Sequence, residues 1–135
     1  MIGILLISHG NFSVGIKNSA EMFFSNSIDA FDAIVYNENI SLEQFDELLK
    51  NKIQELNDGS GIVILGDLAG GTPINRSISL LNDDVYLIAG FNFNLLIDLL
   101  IKRKVHSHIS ELNLHDMIEE AKSGMIFINE LLEVL

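Results

Sequence analysis

The 135-residue sequence contains no cysteine and no tryptophan, and its single proline is Pro73. Without cysteine the chain has no disulfide, no thiolate metal ligand and no thiol nucleophile, which fits a reducing cytoplasm. It also has no apolar run near the roughly 18 residues of a membrane-spanning helix. Apolar residues make up 48% of the chain and charged residues 20%, values typical of a globular domain. We therefore expect one cytoplasmic domain over residues 1–135, without membrane insertion.

Basic residues are few: 8 lysines and arginines stand against 19 acidic residues, a formal net charge of −11. Nucleic acid and anionic membranes would repel such a surface, so both are poor candidates as partners. The charge is compatible with docking on a basic protein surface. Solubility alone is the simpler explanation of an acidic surface.

Four short apolar runs alternate with stretches of helical periodicity. The runs cover residues 2–7, 28–36, 62–65 and 85–90. This alternation predicts an α/β fold, with a doubly wound, mainly parallel four-stranded sheet and helices on both faces. A fifth apolar run at residues 125–128 predicts a short C-terminal strand. That strand would pair with an edge of its own sheet or, exchanged in a dimer, with a neighbouring subunit.

The third run leads directly into the segment Gly-Asp-Leu-Ala-Gly-Gly-Thr-Pro at residues 66–73. Gly70 and Gly71 permit a tight turn and the close approach of a ligand. Thr72 is predicted as a helix N-cap and Pro73 as the first helical residue. Such a strand–turn–helix corner directs free backbone N–H groups toward an anion. Asp67 would stand at the end of the strand, beside this corner.

The first run ends in Ser8-His9-Gly10. In a parallel sheet the carboxyl ends of the strands share one edge, so we expect His9 to lie beside Asp67. Taken singly, a strand-end histidine or aspartate often serves only local hydrogen bonding, and glycines often serve only a bend.

Together these residues predict a shared anion-handling site. In it His9 accepts a phosphoryl group and Asp67 fixes the orientation and tautomer of the ring. The phosphate-binding residues are predicted to be Gly10, Gly70, Gly71 and Thr72, and Thr72 is also counted with the catalytic residues. Neither a cofactor nor a metal is required.

Two further histidines, His106 and His108, are spaced to chelate a metal ion. Two ligands without nearby cysteine or paired carboxylates make a poor metal site, so a solvated polar connection is the simpler interpretation.

The segments around His9 and Asp67, together with Ala89-Gly90-Phe91-Asn92, resemble the IIA component of the mannose/fructose/sorbose family of bacterial sugar phosphotransferase systems (PTS). The resemblance covers nearly the whole chain in order and spacing, and the segment from Asp67 to Asn75 is its most specific part. It implies that the phosphocarrier HPr phosphorylates His9, which passes the group to a IIB subunit for sugar uptake.

By the same resemblance, Asp67 matches the carboxylate that orients the ring, and Thr72 matches a neighbouring hydroxyl residue. The family forms homodimers in which a C-terminal strand can cross to the other subunit. One departure is visible, because Phe93-Asn94 stands where the family commonly has Leu-Pro. This change affects the rim of the site.

Two alternative functions remain open from the sequence. One is the phosphotransfer subunit of a dihydroxyacetone kinase, whose active-site end is similar. The other is a non-catalytic module that binds a small anion and signals through a dimer.

Overall fold

The structure, a computed structural model, describes residues 1–25 and 27–134. Its sheet has four strands: β1 (Gly3–His9), β2 (Phe31–Tyr36), β3 (Ile62–Gly66) and β4 (Val85–Ala89). Their order is β2-β1-β3-β4, and every neighbouring pair is parallel. The predicted doubly wound α/β fold is therefore confirmed.

Helices follow the strands and cover the sheet. They are α1 (Phe12–Phe24), α2 (Leu42–Leu56), α3 (Thr72–Ser77), α4 (Phe93–Lys102), α5 (Leu114–Lys122) and α6 (Ile128–Val134). Short 3₁₀ turns cover Ile78–Leu80, Arg103–Val105 and Ile109–Glu111. None of the helices in the described part of the chain has the length and apolarity that a membrane span requires.

Each central strand buries both of its faces. In β1, Ile4 and Leu6 belong to one core, while Leu5 and Ile7 belong to a second core on the opposite face. Helices α1, α4 and α5 contribute to the first core, and α2 and α3 contribute to the second. This two-sided burial explains why the strands are continuously apolar rather than alternating.

The strand order places a topological switch point between β1 and β3. From β1 the chain moves to β2 on one side, and from β3 it moves to β4 on the other. The loops that leave β1 and β3 therefore diverge, and ligands of open α/β sheets bind in the crevice between them. His9 and Asp67 stand at this crevice.

The short C-terminal strand predicted over residues 125–128 is not present in the described chain. Residues 125–127 have no regular structure, and Ile128 begins α6. A strand requires a neighbour, and the local backbone bonds here are instead turn-like, from Met125 N to the Lys122 carbonyl and from Glu130 N to the Phe127 carbonyl. The apolar side chains are left largely exposed, with Met125 at 85% and Phe127 at 65%.

Candidate active site

His9, the last residue of β1, is held by Asp67, the first residue after β3. One carboxylate oxygen, Oδ2, lies 2.9 Å from the His9 backbone N and 2.9 Å from its ring Nδ1. The Asp67 side chain is 15% exposed, whereas that of His9 is 47% exposed. The carboxylate is thus packed into the crevice while half of the imidazole faces solvent.

This contact determines the tautomer of His9. An ionised carboxylate only accepts hydrogen bonds, so in the neutral ring Nδ1 carries the proton and donates it to Asp67. Nε2 then presents an unprotonated lone pair. In the described part of the chain, no hydrogen-bond partner occupies Nε2. The ring therefore offers a nucleophilic nitrogen with a fixed direction.

Gly71 provides the space for this ring. A Cβ at Gly71 would lie 2.7 Å from His9 Cε1 and 3.4 Å from Nε2, so the imidazole rests directly on the main chain of the loop. Gly70 precedes it with a φ of +83°, a conformation that side chains rarely adopt. The two glycines therefore have different roles, since one makes the turn and the other permits the contact.

Some backbone N–H groups near His9 are already used in hydrogen bonds within the chain and so cannot donate to a bound anion. The N–H of Gly10 donates to the Tyr36 carbonyl at 2.8 Å, and that of Gly71 donates to the Leu68 carbonyl at 3.1 Å. Among residues 1–25 and 27–134, the N–H groups of Gly70 and Thr72 have no acceptor. These two amides are therefore open to an anion at the corner, whereas the amides of Gly10 and Gly71 are already bonded within the chain.

The prediction that Thr72 is the N-cap is wrong by one residue. Asn75 N donates to the Gly71 carbonyl at 2.9 Å, so Gly71 is the cap and Thr72 is the first helical residue. Pro73 consequently takes the second helical position. No hydrogen bond of the Thr72 hydroxyl is found among residues 1–25 and 27–134.

The sequence did not indicate a serine pair beneath His9. Ser8 and Ser13 are fully buried. Ser8 Oγ donates to the Gly10 carbonyl at 3.0 Å and accepts from Ser13 N at 2.8 Å, while Ser13 Oγ donates to the Ile34 carbonyl at 2.8 Å. This network fixes the turn that follows His9. The sequence signal for this network is a serine in an apolar strand just before a glycine turn. The hydrogen-bond partners of the two serines are evident only from the structure.

His106 and His108 lie far from this site, beyond α4. His108 caps the Ile109–Glu111 turn, and His106 Nδ1 lies 3.7 Å from Glu111. Within the described residues, no group of three or more histidine, aspartate or glutamate side chains is placed to hold a metal ion.

Known proteins resemble this chain in sequence. The model of the family described as "PTS system fructose IIA component" matches residues 3–117. The fructose-specific EIIA component of the PTS from Bacillus subtilis is 24% identical over 125 residues, covering 91% of this chain and 81% of that protein.

Two solved structures superpose closely. The PTS IIA protein associated with the fucose utilization operon of Streptococcus pneumoniae has a TM-score of 0.83 and 30% identity, covering 96% of this chain and 95% of its own. The EIIA component from Streptococcus agalactiae also has a TM-score of 0.83, with 26% identity and 96% and 99% coverage.

The chain is therefore a phosphotransfer protein of the α/β type. It belongs to the EIIA family of the mannose/fructose type, the sugar phosphotransferase component recognised from the sequence.

Proposed function

We propose that this chain is a phosphoryl carrier that receives its phosphoryl group from phospho-HPr on His9 and passes it to a IIB subunit during sugar uptake. The single observation that carries the proposal is the His9–Asp67 contact, with Nδ1 bonded at 2.9 Å and Nε2 open. The proposal treats residues 1–135 as one EIIA domain. The expectation of a cytoplasmic location stays a prediction.

In the proposed step, the Nε2 lone pair of His9 attacks the phosphorus of the donor phosphohistidine. The donor phosphohistidine carries a proton on its other ring nitrogen. A P–N bond forms at His9 as the P–N bond to the donor ring breaks, and the donor, which keeps that proton, leaves as a neutral imidazole. The His9 proton stays on Nδ1, so the ring gains positive charge as it becomes phosphorylated. Asp67 stabilises that charge and keeps the ring in line.

The remaining groups receive the phosphoryl oxygens. Within the described chain, the N–H groups of Gly70 and Thr72 and the Thr72 hydroxyl have no hydrogen-bond partner. Backbone donors of this kind stabilise charge that develops in the transition state. We propose that Gly10, Gly70, Gly71 and Thr72 position the phosphoryl group and stabilise its charge, and that no cofactor is needed.

The test is transfer of labelled phosphate from phosphoenolpyruvate through enzyme I and HPr. We expect wild type and His108→Gln to be labelled equally and His9→Gln to remain unlabelled. Label on His9→Gln would refute the assignment. No label on wild type would favour the anion-sensing module, and acceptance of the label by a dihydroxyacetone kinase subunit rather than by IIB would favour that alternative.

We also propose that the chain acts as a homodimer in which residues 125–128 pair with the outer edge of β4 of a second copy. Those residues expose large apolar side chains, including Ile126 at 52% and Ile128 at 53%. The other edge strand, β2, is less suited to pairing with a second copy, because it carries a charged residue, Asp32, which is paired with Lys17 and Lys52. Light scattering of the full chain should give twice the monomer mass, and a monomer mass would refute the pairing.

A further inference from the structure

Tyr36, the last residue of β2, contacts the ring of His9. The two residues are register partners in neighbouring parallel strands, so their side chains leave the sheet on the same face. Their ring centroids lie 6.3 Å apart, with an angle of 85° between the ring planes. This is an edge-to-face contact, at a separation where aromatic rings attract one another. The imidazole therefore has an aromatic neighbour in addition to Asp67 and Gly71.

The ring of Tyr36 is itself held in place from the core. It meets the ring of Phe45 edge to face, with centroids 5.4 Å apart, and Phe45 is fully buried in α2. The Tyr36 backbone is also fixed, because its carbonyl accepts a hydrogen bond from Gly10 N at 2.8 Å. A series of contacting rings thus runs from the buried face of α2 to the imidazole of His9.

From this arrangement we propose that Tyr36 is a positioning residue for phosphotransfer, whose ring limits rotation of the His9 imidazole and keeps Nε2 in line with the incoming phosphorus. The inference rests on the proposed function, because it adds a residue that acts on the same acceptor. Tyr36 makes and breaks no bond in the step. It acts through the orientation of His9.

The contacts of His9 explain why a further constraint matters. The Nδ1 bond to Asp67 fixes one atom of the ring, but the ring can still tilt about that atom. Gly71 lies against Cε1 and limits the tilt in that direction. Nearly half of the side chain, 47%, faces solvent, which does not restrict the ring. A misplacement of about 1 Å can cost roughly 100-fold in rate, so the edge of a rigid aromatic neighbour affects the transfer.

The experiment replaces the ring and measures transfer from two donors. One donor is phospho-HPr, and the other is phosphoramidate, a small molecule that can phosphorylate histidine without a docking surface. For Tyr36→Leu we expect the maximal rate of labelling to fall about 3–10-fold with both donors. The KM for phospho-HPr should change less than about twofold, because binding of the donor is not affected.

Tyr36→Phe tests whether the ring is sufficient. It keeps the edge-to-face contacts with His9 and Phe45 and removes only the hydroxyl, so labelling should stay within about twofold of wild type. Should Tyr36→Leu fail to fold, Tyr36→Met replaces it, since methionine retains more of the side-chain length and adapts to irregular packing.

Mobility of the imidazole gives a readout that a loss of stability alone would not change. Carbon-13 relaxation at Cε1 of His9 in the folded protein should give a lower order parameter in Tyr36→Leu than in wild type, and the wild-type value in Tyr36→Phe.

Tyr86→Leu is the matched control. Tyr86 is the other of the two tyrosines in the chain, and it lies in β4 as the register partner of Val63, near the amino end of its strand. Labelling of Tyr86→Leu and its His9 order parameter should match wild type. Melting curves check the folding of each variant.

The outcomes separate the inference from the proposed function. Wild-type rates and an unchanged order parameter in Tyr36→Leu would overturn the role of Tyr36 and leave His9 as the acceptor. A loss confined to phospho-HPr would also overturn it, since the effect would then lie in docking, and so would an equal loss in Tyr36→Phe. Absence of label on wild-type His9 with either donor would overturn the proposed function itself.

Discussion

Two histidine–aspartate pairs lie at opposite ends of the sheet, and they differ in what they leave open. At the carboxyl edge, Asp67 binds Nδ1 of His9 at 2.9 Å and Nε2 has no partner in the described chain. At the amino edge, Asp84 binds Nε2 of His108 at 2.8 Å, and Nδ1 accepts from Ser110 N at 3.1 Å. The Ser110 hydroxyl lies 2.9 Å from the same Nδ1.

The difference shows that a histidine–carboxylate contact does not by itself define a reactive site. Both nitrogens of His108 are used to hold a turn, so the ring has no lone pair to offer. His9 combines a fixed tautomer with an open nitrogen, at the edge where open α/β sheets bind ligands. Both histidines contact an aspartate, so the open lone pair on Nε2 of His9 is what distinguishes His9 from His108.

The largest contrast should come from replacing the two aspartates. Asp67→Asn removes the acceptor that fixes Nδ1–H, and we expect phosphotransfer to fall by at least ~100-fold with little change in melting temperature. Asp84→Asn should leave transfer unchanged. The measurement is the initial rate of labelling from phospho-HPr, with thermal unfolding of both proteins. Similar rates for the two variants would remove the distinction between the pairs.

A smaller loss should follow from crowding the reactive ring. In Gly71→Ala the new Cβ would lie 2.7 Å from His9 Cε1, which forces the imidazole away from Asp67. A displacement of this size costs roughly 10–100-fold in rate.

The matched control is Gly15→Ala in α1, where a Cβ meets nothing within 4 Å. Alanine there should raise stability by up to about 1 kcal/mol and leave transfer intact. A Gly71→Ala protein that transfers at the wild-type rate would contradict the close packing of ring and loop.

The smallest effect concerns the turn held by His108. Glu111 accepts from Ser107 Oγ, and this bond, with those from the Ser107 and His108 backbone, holds the pKa of its carboxyl below the ordinary value of 4.5. Because the pKa is lowered on folding, the stabilisation is present above pH 4.5 and is lost as the pH falls through the folded-state pKa.

Glu111→Gln should therefore lower the melting temperature slightly at pH 7, and the difference from wild type should shrink below about pH 4. Labelling of His9 should be unaffected. A pH-independent difference would contradict the role of the ionised carboxylate, and a loss of labelling would connect this turn to the active site.

Much of the site's location could be predicted because it follows from parallel topology. Two buried runs that end in His9 and Asp67 must bring both residues to one edge once the strands are neighbours. The bonding of individual groups could not be predicted, since it depends on partners distant in sequence. Asp84, for example, meets His108 across 24 residues.

The apolar run at residues 125–128 shows that prediction of the fold is limited in the same way, by partners that the sequence does not specify. Residues 125–128 are as apolar as a buried strand, but apolarity does not specify a neighbour, and a strand exists only when its backbone is paired. The N-cap error at Thr72 is local by contrast. One i→i−4 bond, from Asn75 to Gly71, moved the helix start by a residue.

The most direct test of the central claim is nitrogen-15 NMR of the imidazoles in the phosphorylated protein, which identifies the nitrogen that carries phosphorus. The structure predicts phosphorylation of His9 at Nε2, with Nδ1 still protonated and bonded to Asp67. Phosphorus on Nδ1 of His9, or on His108, would contradict the account.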